Sequence, residues 1–130
     1  MIPEVSSNHI VFLLLIHFIA DFVCQNDTMA LKKSHDFGWL FLHVAVYTAV
    51  FFVCMGFGAL YFQFNFISTL YFVLLNSALH LITDFFTSKI NAYHWSKKEN
   101  HRFFVGIGAD QFIHGATLIY TFYWINPLAQ

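Results

Sequence analysis

Charged residues are scarce in this sequence. Only 10% of its 130 residues are Asp, Glu, Lys or Arg, whereas soluble domains contain about 25%. No Lys, Arg or Glu stands between Trp39 and Phe86. Because 58% of the residues are hydrophobic as well, the composition excludes an ordinary soluble domain and predicts an integral membrane protein.

Linker-like sequence is also missing. No Gly/Ser-rich or Pro-rich stretch separates the hydrophobic segments, which predicts one transmembrane domain over residues 1–130. The start lacks a basic region and a small-residue cleavage site, so we expect the first helix to be retained. The two cysteines, Cys24 and Cys54, fall near opposite ends of successive spans, and we expect no disulfide between them.

Four hydrophobic segments approach the roughly 20 residues that a membrane-crossing helix requires. They run from Asn8 to Cys24, from Phe37 to Phe57, from Phe64 to Ser88 and from Phe103 to Trp124. We place the turn between the second and third spans at residues 56–65, because one continuous helix there would be about 70 Å long. The sequence therefore predicts an all-α integral membrane protein with four transmembrane helices.

All six basic side chains are confined to residues 26–36 and 89–102. A four-span arrangement puts both segments on one side, which the positive-inside rule identifies as the cytoplasmic side. Both termini and the turn near Gly56 would then lie outside. The segment 91–102 mixes aromatic and basic residues, which is typical of headgroup anchoring and compatible with capture of an anionic lipid or phosphate.

The spans repeat one another. The pattern His-x-x-x-Asp-Phe begins at His17 and again at His80, and the segments around His43 and His114 also resemble each other. The repeating unit is therefore a helical hairpin. Two hairpins entering the membrane in the same sense predict a four-helix bundle with a pseudo-two-fold axis along the membrane normal.

Seven ionisable residues fall in one band, about 5 to 15 Å below the cytoplasmic surface at 1.5 Å per residue. An ionised group in hydrocarbon costs about 2.5 kcal/mol or more, and an interhelical hydrogen bond worth about 0.6 kcal/mol does not account for seven of them. Imidazole and carboxylate together are typical metal ligands. The predicted ligands are His17, Asp21, His43, His80, Asp84, Asp110 and His114.

These ligands suit one or two divalent ions, with Zn favoured and Mn, Fe or Mg as alternatives. Asp110 has no counterpart in the first hairpin, where Trp39 stands at the equivalent position. We therefore predict that Asp110 is the catalytic base, with Gln25 and Gln111 orienting a ligand or substrate. The other histidines, at positions 9, 35, 94 and 101, are expected to be exposed.

The motifs resemble those of a known family, catalogued as domain of unknown function 3307, of small bacterial and phage membrane proteins. The resemblance covers essentially the whole chain. More distantly the chain is similar to predicted metal-dependent hydrolases of the bacterial inner membrane, which implies the same location and activity here. The motifs that carry the resemblance are His17-x-x-x-Asp21-Phe22-x-x-Gln25, His43, His80-x-x-x-Asp84 and Asp110-Gln111-x-x-His114.

The leading functional hypothesis is a hydrolase acting on a lipid or lipid-linked phosphoester at the cytoplasmic leaflet. A transporter or channel for divalent metals or protons is the first alternative, although the outer halves of the spans are mostly apolar. A haem or di-iron site is another, although no span contains the Glu that di-iron proteins favour. A phage-type effector that binds a host protein stays open, as does a homo-oligomer; no nucleic-acid partner is expected.

Overall fold

Five α-helices and one π-helical turn make up the regular structure of residues 4–128, the part of the chain that the computed structural model describes. The predicted all-α fold is confirmed over this range. The helices are α1 (Ser7–Phe18), which continues into the π-helical turn Ile19–Val23, α2 (Asp27–Lys32), α3 (Phe37–Phe62), α4 (Phe66–Ser96) and α5 (Asn100–Ile125).

Two of these helices, α3 and α4, are long and apolar enough to cross a membrane. Length and composition therefore identify two of the four predicted crossing helices. The segment Ser7–Val23 is apolar but shorter. Helix α5 is as long as α3, but it includes Arg102, Asp110 and Gln111 among its residues, and such polar residues lower its mean hydropathy.

The turn between α3 and α4 is shorter than the predicted segment 56–65. Helix α3 continues through Gly56 and Gly58, and only residues 63–65 separate it from α4. Gly58 serves helix packing instead, because a Cβ there would lie 2.7 Å from the ring of Phe12. Gln63 ends α3 in the left-handed conformation, with φ of 59°, and the side chain of Asn65 accepts a hydrogen bond at the start of α4.

Both basic segments are more ordered than predicted. Residues 26–36 contain α2, whose first turn is capped by Asn26 through a 2.9 Å bond from the Met29 amide. The following helix, α3, is capped by Asp36, which accepts from the Gly38 and Trp39 amides. Helix α4 ends at Ser96 rather than at residue 88, so only residues 97–99 connect it to α5.

Helix α4 packs against α3 and α5, and α1 contacts the same two helices. The apolar core fills the half of the molecule near the α3–α4 turn, and its largest fully buried side chains are Tyr47, Phe51, Phe72 and Phe122. His9 lies at this end as well, buried against Phe62. Its predicted exposure is wrong, because its Nδ1 accepts a hydrogen bond from the Ser6 amide and its ring packs on aromatic neighbours.

Candidate metal centre

The structure brings all seven predicted ligand residues together in the half of the molecule opposite the apolar core. Each of them is at least 90% buried. Helix α1 and its π-helical turn contribute two of the residues, α3 contributes one, and α4 and α5 contribute two each. In that order they are His17 and Asp21, His43, His80 and Asp84, and Asp110 and His114.

Asp21 owes its position to the π-helical turn Ile19–Val23. Such turns contain an extra residue and occur frequently at functional sites. The Oδ1 atom of Asp21 lies 3.1 Å from His43 Nε2 and 3.5 Å from His80 Nε2. The sequence pattern predicts the pairing of Asp21 with His17 on a regular helix, but it gives no sign of the π-helical turn.

Equivalent residues of the two similar sequence segments make matching contacts. In the first segment, Asp21 lies 3.1 Å from His43 and 3.8 Å from His17. In the second, the corresponding distances are 3.0 and 3.7 Å, in the pairs Asp84–His114 and Asp84–His80. The similarity between the segments therefore extends from sequence to side-chain geometry.

Four of the residues, Asp21, His43, His80 and Asp84, offer ligand atoms that all lie within 4.8 Å of one another. The Nε2 atoms of His43 and His80 are 3.2 Å apart, so they can share only one proton. Asp21 Oδ1 points at the same place, yet it accepts no hydrogen bond from residues 4–128. This convergence of lone pairs is what a metal cation requires, and the residues present therefore fit one.

A second group joins the first through Asp21. It consists of Asp21, Asp110 and His114, with ligand atoms again within 4.8 Å of one another. His114 Nε2 lies 3.0 Å from Asp84 and 3.4 Å from Asp110. Because Asp21 belongs to both groups, this set of side chains can hold one ion or two neighbouring ions.

Gln111 connects residues of three helical segments. Its Nε2 donates to Asp21 at 2.9 Å and to Asp110 at 3.1 Å. Its Oε1 lies 3.0 Å from His17 Nε2, which donates to it. His17 belongs to neither ligand group, so its geometry is that of a residue that positions Gln111, and through it the two carboxylates.

Lys33 is a member of this cluster that sequence reasoning misses. Its Nζ donates to Asp84 Oδ2 at 2.8 Å and lies 3.4 Å from His43 Nε2, and its side chain is only 15% exposed. The sequence pattern assigns Lys33 to an exposed basic loop. The capping residue Asn26 signals the short helix that ends just before Lys33, but the contact of Lys33 with Asp84 has no local signal in the sequence.

A cavity of about 640 Å³ opens beside the cluster. The cluster residues that line it include Lys33, Asp84, Asp110 and Gln111. Gln25 also lines it, and the Oε1 atom of Gln25 is buried without a hydrogen-bond partner in the described part of the chain. The large apolar side chains that line the cavity are Phe22, Leu31, Trp95, Phe103, Phe104 and Ile107.

Three of the remaining histidines, those at positions 35, 94 and 101, lie outside the cluster; the first and third are exposed and the second is half-buried. His94 donates to Glu99 at 2.6 Å, and Arg102 donates to the same carboxylate at 3.2 Å. The hydrogen bond from His94 lowers the pKa of Glu99. These contacts stabilise the α4–α5 turn.

Comparisons with known proteins identify a family without an assigned activity. Searches of curated proteins and of solved structures each gave no match. The model of the family described as Protein of unknown function (DUF3307) matches residues 10–129, and the chain therefore belongs to that family.

Proposed function

We propose that this protein is a membrane-embedded, metal-dependent hydrolase that acts on a lipid or lipid-linked phosphoester. The observation that carries the proposal is the buried convergence of Asp21, His43, His80 and Asp84. Charge supports it, because three carboxylates, those of Asp21, Asp84 and Asp110, face a single ammonium, that of Lys33. A divalent cation would offset the excess of carboxylates, and the mixed nitrogen and oxygen donors suit Zn, Mn or Fe.

The distribution of polar and apolar side chains supports a membrane location. Leu60, Tyr61 and Trp124 are more than 70% exposed, whereas Asp84 and His43 are at most 1% exposed. This is the reverse of a soluble protein. We place α1, α3, α4 and α5 across a bacterial inner membrane as two repeated hairpins, with the basic segments cytoplasmic, and the matching side-chain distances of the two segments support that repeat.

The residues of the cluster divide into proposed metal ligands and a proposed proton acceptor. A divalent metal bound by Asp21, His43, His80 and Asp84 would supply acidification of a coordinated water and polarisation of a phosphoryl oxygen. Asp110 borders the cavity and accepts hydrogen bonds from Thr87 and Gln111, which fix its orientation. Asp110 is thereby placed to accept a proton during hydrolysis.

The cavity supports an amphipathic substrate. Its lining combines the carboxylates of Asp84 and Asp110 with the rings of Phe22, Trp95, Phe103 and Phe104. A chain of hydrocarbon would bury apolar surface against these rings, at about 25 cal/mol per Å². The scissile phosphoester would then lie at the carboxylates and imidazoles.

The apolar half of the molecule argues against the channel alternative. His80 stacks on Tyr47 with ring centroids 3.9 Å apart, and beyond Tyr47 lie the fully buried rings of Phe51, Phe72 and Phe122. Between the cluster and the α3–α4 turn these rings pack together, and the buried side chains of Ser77 and Asn76 are hydrogen-bonded to Thr48 and Thr121. A polar path through this half would have to cross the packed rings, which favours a site approached from one side and therefore an enzyme over a channel.

Metal analysis of detergent-purified protein tests the proposal. We expect about one equivalent or more of metal in the wild type and in His101→Ala, because His101 is exposed and outside the cluster. His80→Gln should contain no bound metal. It should also fail to release phosphate from a phospholipid monoester presented in mixed micelles. Wild-type protein that takes up no Zn, Mn or Fe, or a His80→Gln variant with full turnover, would contradict the proposal.

A further inference from the structure

The ammonium of Lys33 contacts two atoms that the proposed metal would bind. Its ammonium lies 2.8 Å from Asp84 Oδ2 and 3.4 Å from His43 Nε2, and both residues belong to the four-residue ligand group. A metal bound to His43 would use the lone pair of this nitrogen, which then could not accept a hydrogen bond from Lys33. The ammonium of Lys33 and a divalent ion therefore cannot both occupy this corner of the site.

Lys33 also has somewhere else to go. It follows the last residue of α2, its four-carbon stem is flexible, and its side chain already lines the cavity of about 640 Å³. Among the described residues that line this cavity, Lys33 is the only Lys or Arg. A turn about its own side-chain bonds is sufficient to carry the ammonium from Asp84 into the cavity.

We propose that Lys33 exchanges partners: it pairs with Asp84 when the site is metal-free and, when metal is bound, turns into the cavity to bind a tetrahedral anion of the phosphate class. The proposal rests on the proposed metal site and adds a specificity-determining residue to it. The anion can belong to a lipid headgroup or to a soluble molecule. Lys33 would thus couple metal binding to the recognition of an anionic ligand.

Metal affinity provides the first test. Zn²⁺ affinity is measured by competition with a chromophoric chelator for wild type, Lys33→Met and Lys32→Met. Lys32 is the matched control because its ammonium lies over the Trp39 ring, 5.3 Å from the centroid, and outside the cluster. Removal of the competing charge should tighten Zn²⁺ binding about tenfold or more in Lys33→Met and leave Lys32→Met unchanged. Equal or weaker binding in Lys33→Met overturns the exchange.

The accessibility of the amine separates exchange from a general charge effect. Wild-type protein is acetylated with a small amine-reactive reagent in the presence and absence of Zn²⁺. The extent of acetylation of each lysine is measured by mass spectrometry. Acetylation of Lys33 should rise when Zn²⁺ is present, whereas Lys32 should not change. Acetylation of Lys33 that stays constant or falls overturns the proposal.

The anion is tested with sulfate, a tetrahedral dianion that does not precipitate with Zn²⁺, and with lipid nanodiscs containing phosphatidic acid or only phosphatidylcholine. If the anion is a soluble molecule, wild-type protein with Zn²⁺ should bind sulfate. If the anion belongs to a lipid headgroup, it should bind nanodiscs that contain phosphatidic acid but not those with only phosphatidylcholine. Lys33→Met should bind neither sulfate nor phosphatidic acid. Binding of neither anion by the wild type overturns the proposal.

The results also separate the two proposals. Absence of Zn²⁺ binding in wild type, Lys33→Met and Lys32→Met would contradict the proposed function itself. Equal Zn²⁺ binding by these three proteins would contradict only the role of Lys33.

Discussion

Asp110 is the carboxylate without a counterpart in the repeat, where Trp39 takes the equivalent position. It accepts hydrogen bonds from Thr87 and Gln111, and it borders the cavity. These bonds orient the carboxylate without closing it off from a substrate. Its chemical role can therefore be separated from that of Asp84, which lies between Lys33 and His114.

We expect Asp110→Asn to keep the metal and to lower phosphoester hydrolysis by about 10²- to 10⁴-fold, the usual contribution of a general base. The amide retains the shape of the side chain but accepts no proton. Metal content and phosphate release are measured on the same preparation, with Asp27→Asn as the control because Asp27 is exposed on α2. Loss of metal in Asp110→Asn would show that Asp110 is a ligand rather than a base.

At the residue scale, sequence predicts the members of the cluster far better than their contacts. Helical spacing and depth are enough to bring His17, His43 and His80 to one place, because both depend on the rise per residue. The contact of Lys33 with Asp84 depends on how α2 folds back over the site, which is a tertiary event. The π-helical turn around Asp21 depends on packing in the same way.

At the scale of elements, Gly106 lies where α5 packs on α4. A Cβ at Gly106 would overlap Oδ1 of Asn91, a side chain that is 7% exposed. A Cβ at Gly108, two residues later, would meet no atom within 4 Å. The two glycines therefore provide a matched pair on one helix.

We expect Gly106→Ala to lower the free energy of unfolding by about 1 to 3 kcal/mol, because Asn91 must move within a packed contact. Gly108→Ala should instead raise it by about 0.5 to 1 kcal/mol through helix propensity. In an Asn91→Ala background the cost of Gly106→Ala should largely disappear. Detergent unfolding followed by circular dichroism compares the wild type with the three single variants and the double variant. A full cost in the Asn91→Ala background would show that the clash does not limit the crossing.

The errors in the predicted elements have a common physical cause. Gly56 and Gly58 are read as a turn because glycine destabilises helices, yet Gly58 lies within α3 where the ring of Phe12 needs the space. Ser88 and Asn91 look polar enough to end α4, but both are buried inside the molecule and the helix continues past them. Local composition marks polarity, whereas packing decides whether that polarity faces solvent or a neighbouring helix.

At the scale of the whole molecule, length and composition alone give two crossing helices, α3 and α4. The cluster requires more, because α1 with its π-helical turn and α5 contribute four of its seven residues. Helix α1 lies beside α3, and α5 lies beside α4. If α3 and α4 cross the membrane, the residues of α1 that contact α3 lie at the same depth. Whether α1 also crosses is therefore the decisive question for the proposed four-span arrangement.

Both native cysteines are free, as predicted, so two single-cysteine proteins can answer that question. Cys54→Ser leaves Cys24, which is exposed beyond the π-helical turn, and Ser7→Cys combined with Cys24→Ser and Cys54→Ser places a thiol at the exposed start of α1. In intact bacterial spheroplasts, a membrane-impermeant maleimide should label the thiol at position 7 and reach Cys24 only after permeabilisation, because the basic segment beside Cys24 is expected to be cytoplasmic. The reverse pattern would keep the crossing and invert the orientation. Equal labelling of both positions would show that α1 lies on one side, and would leave α3 and α4 as the crossing pair.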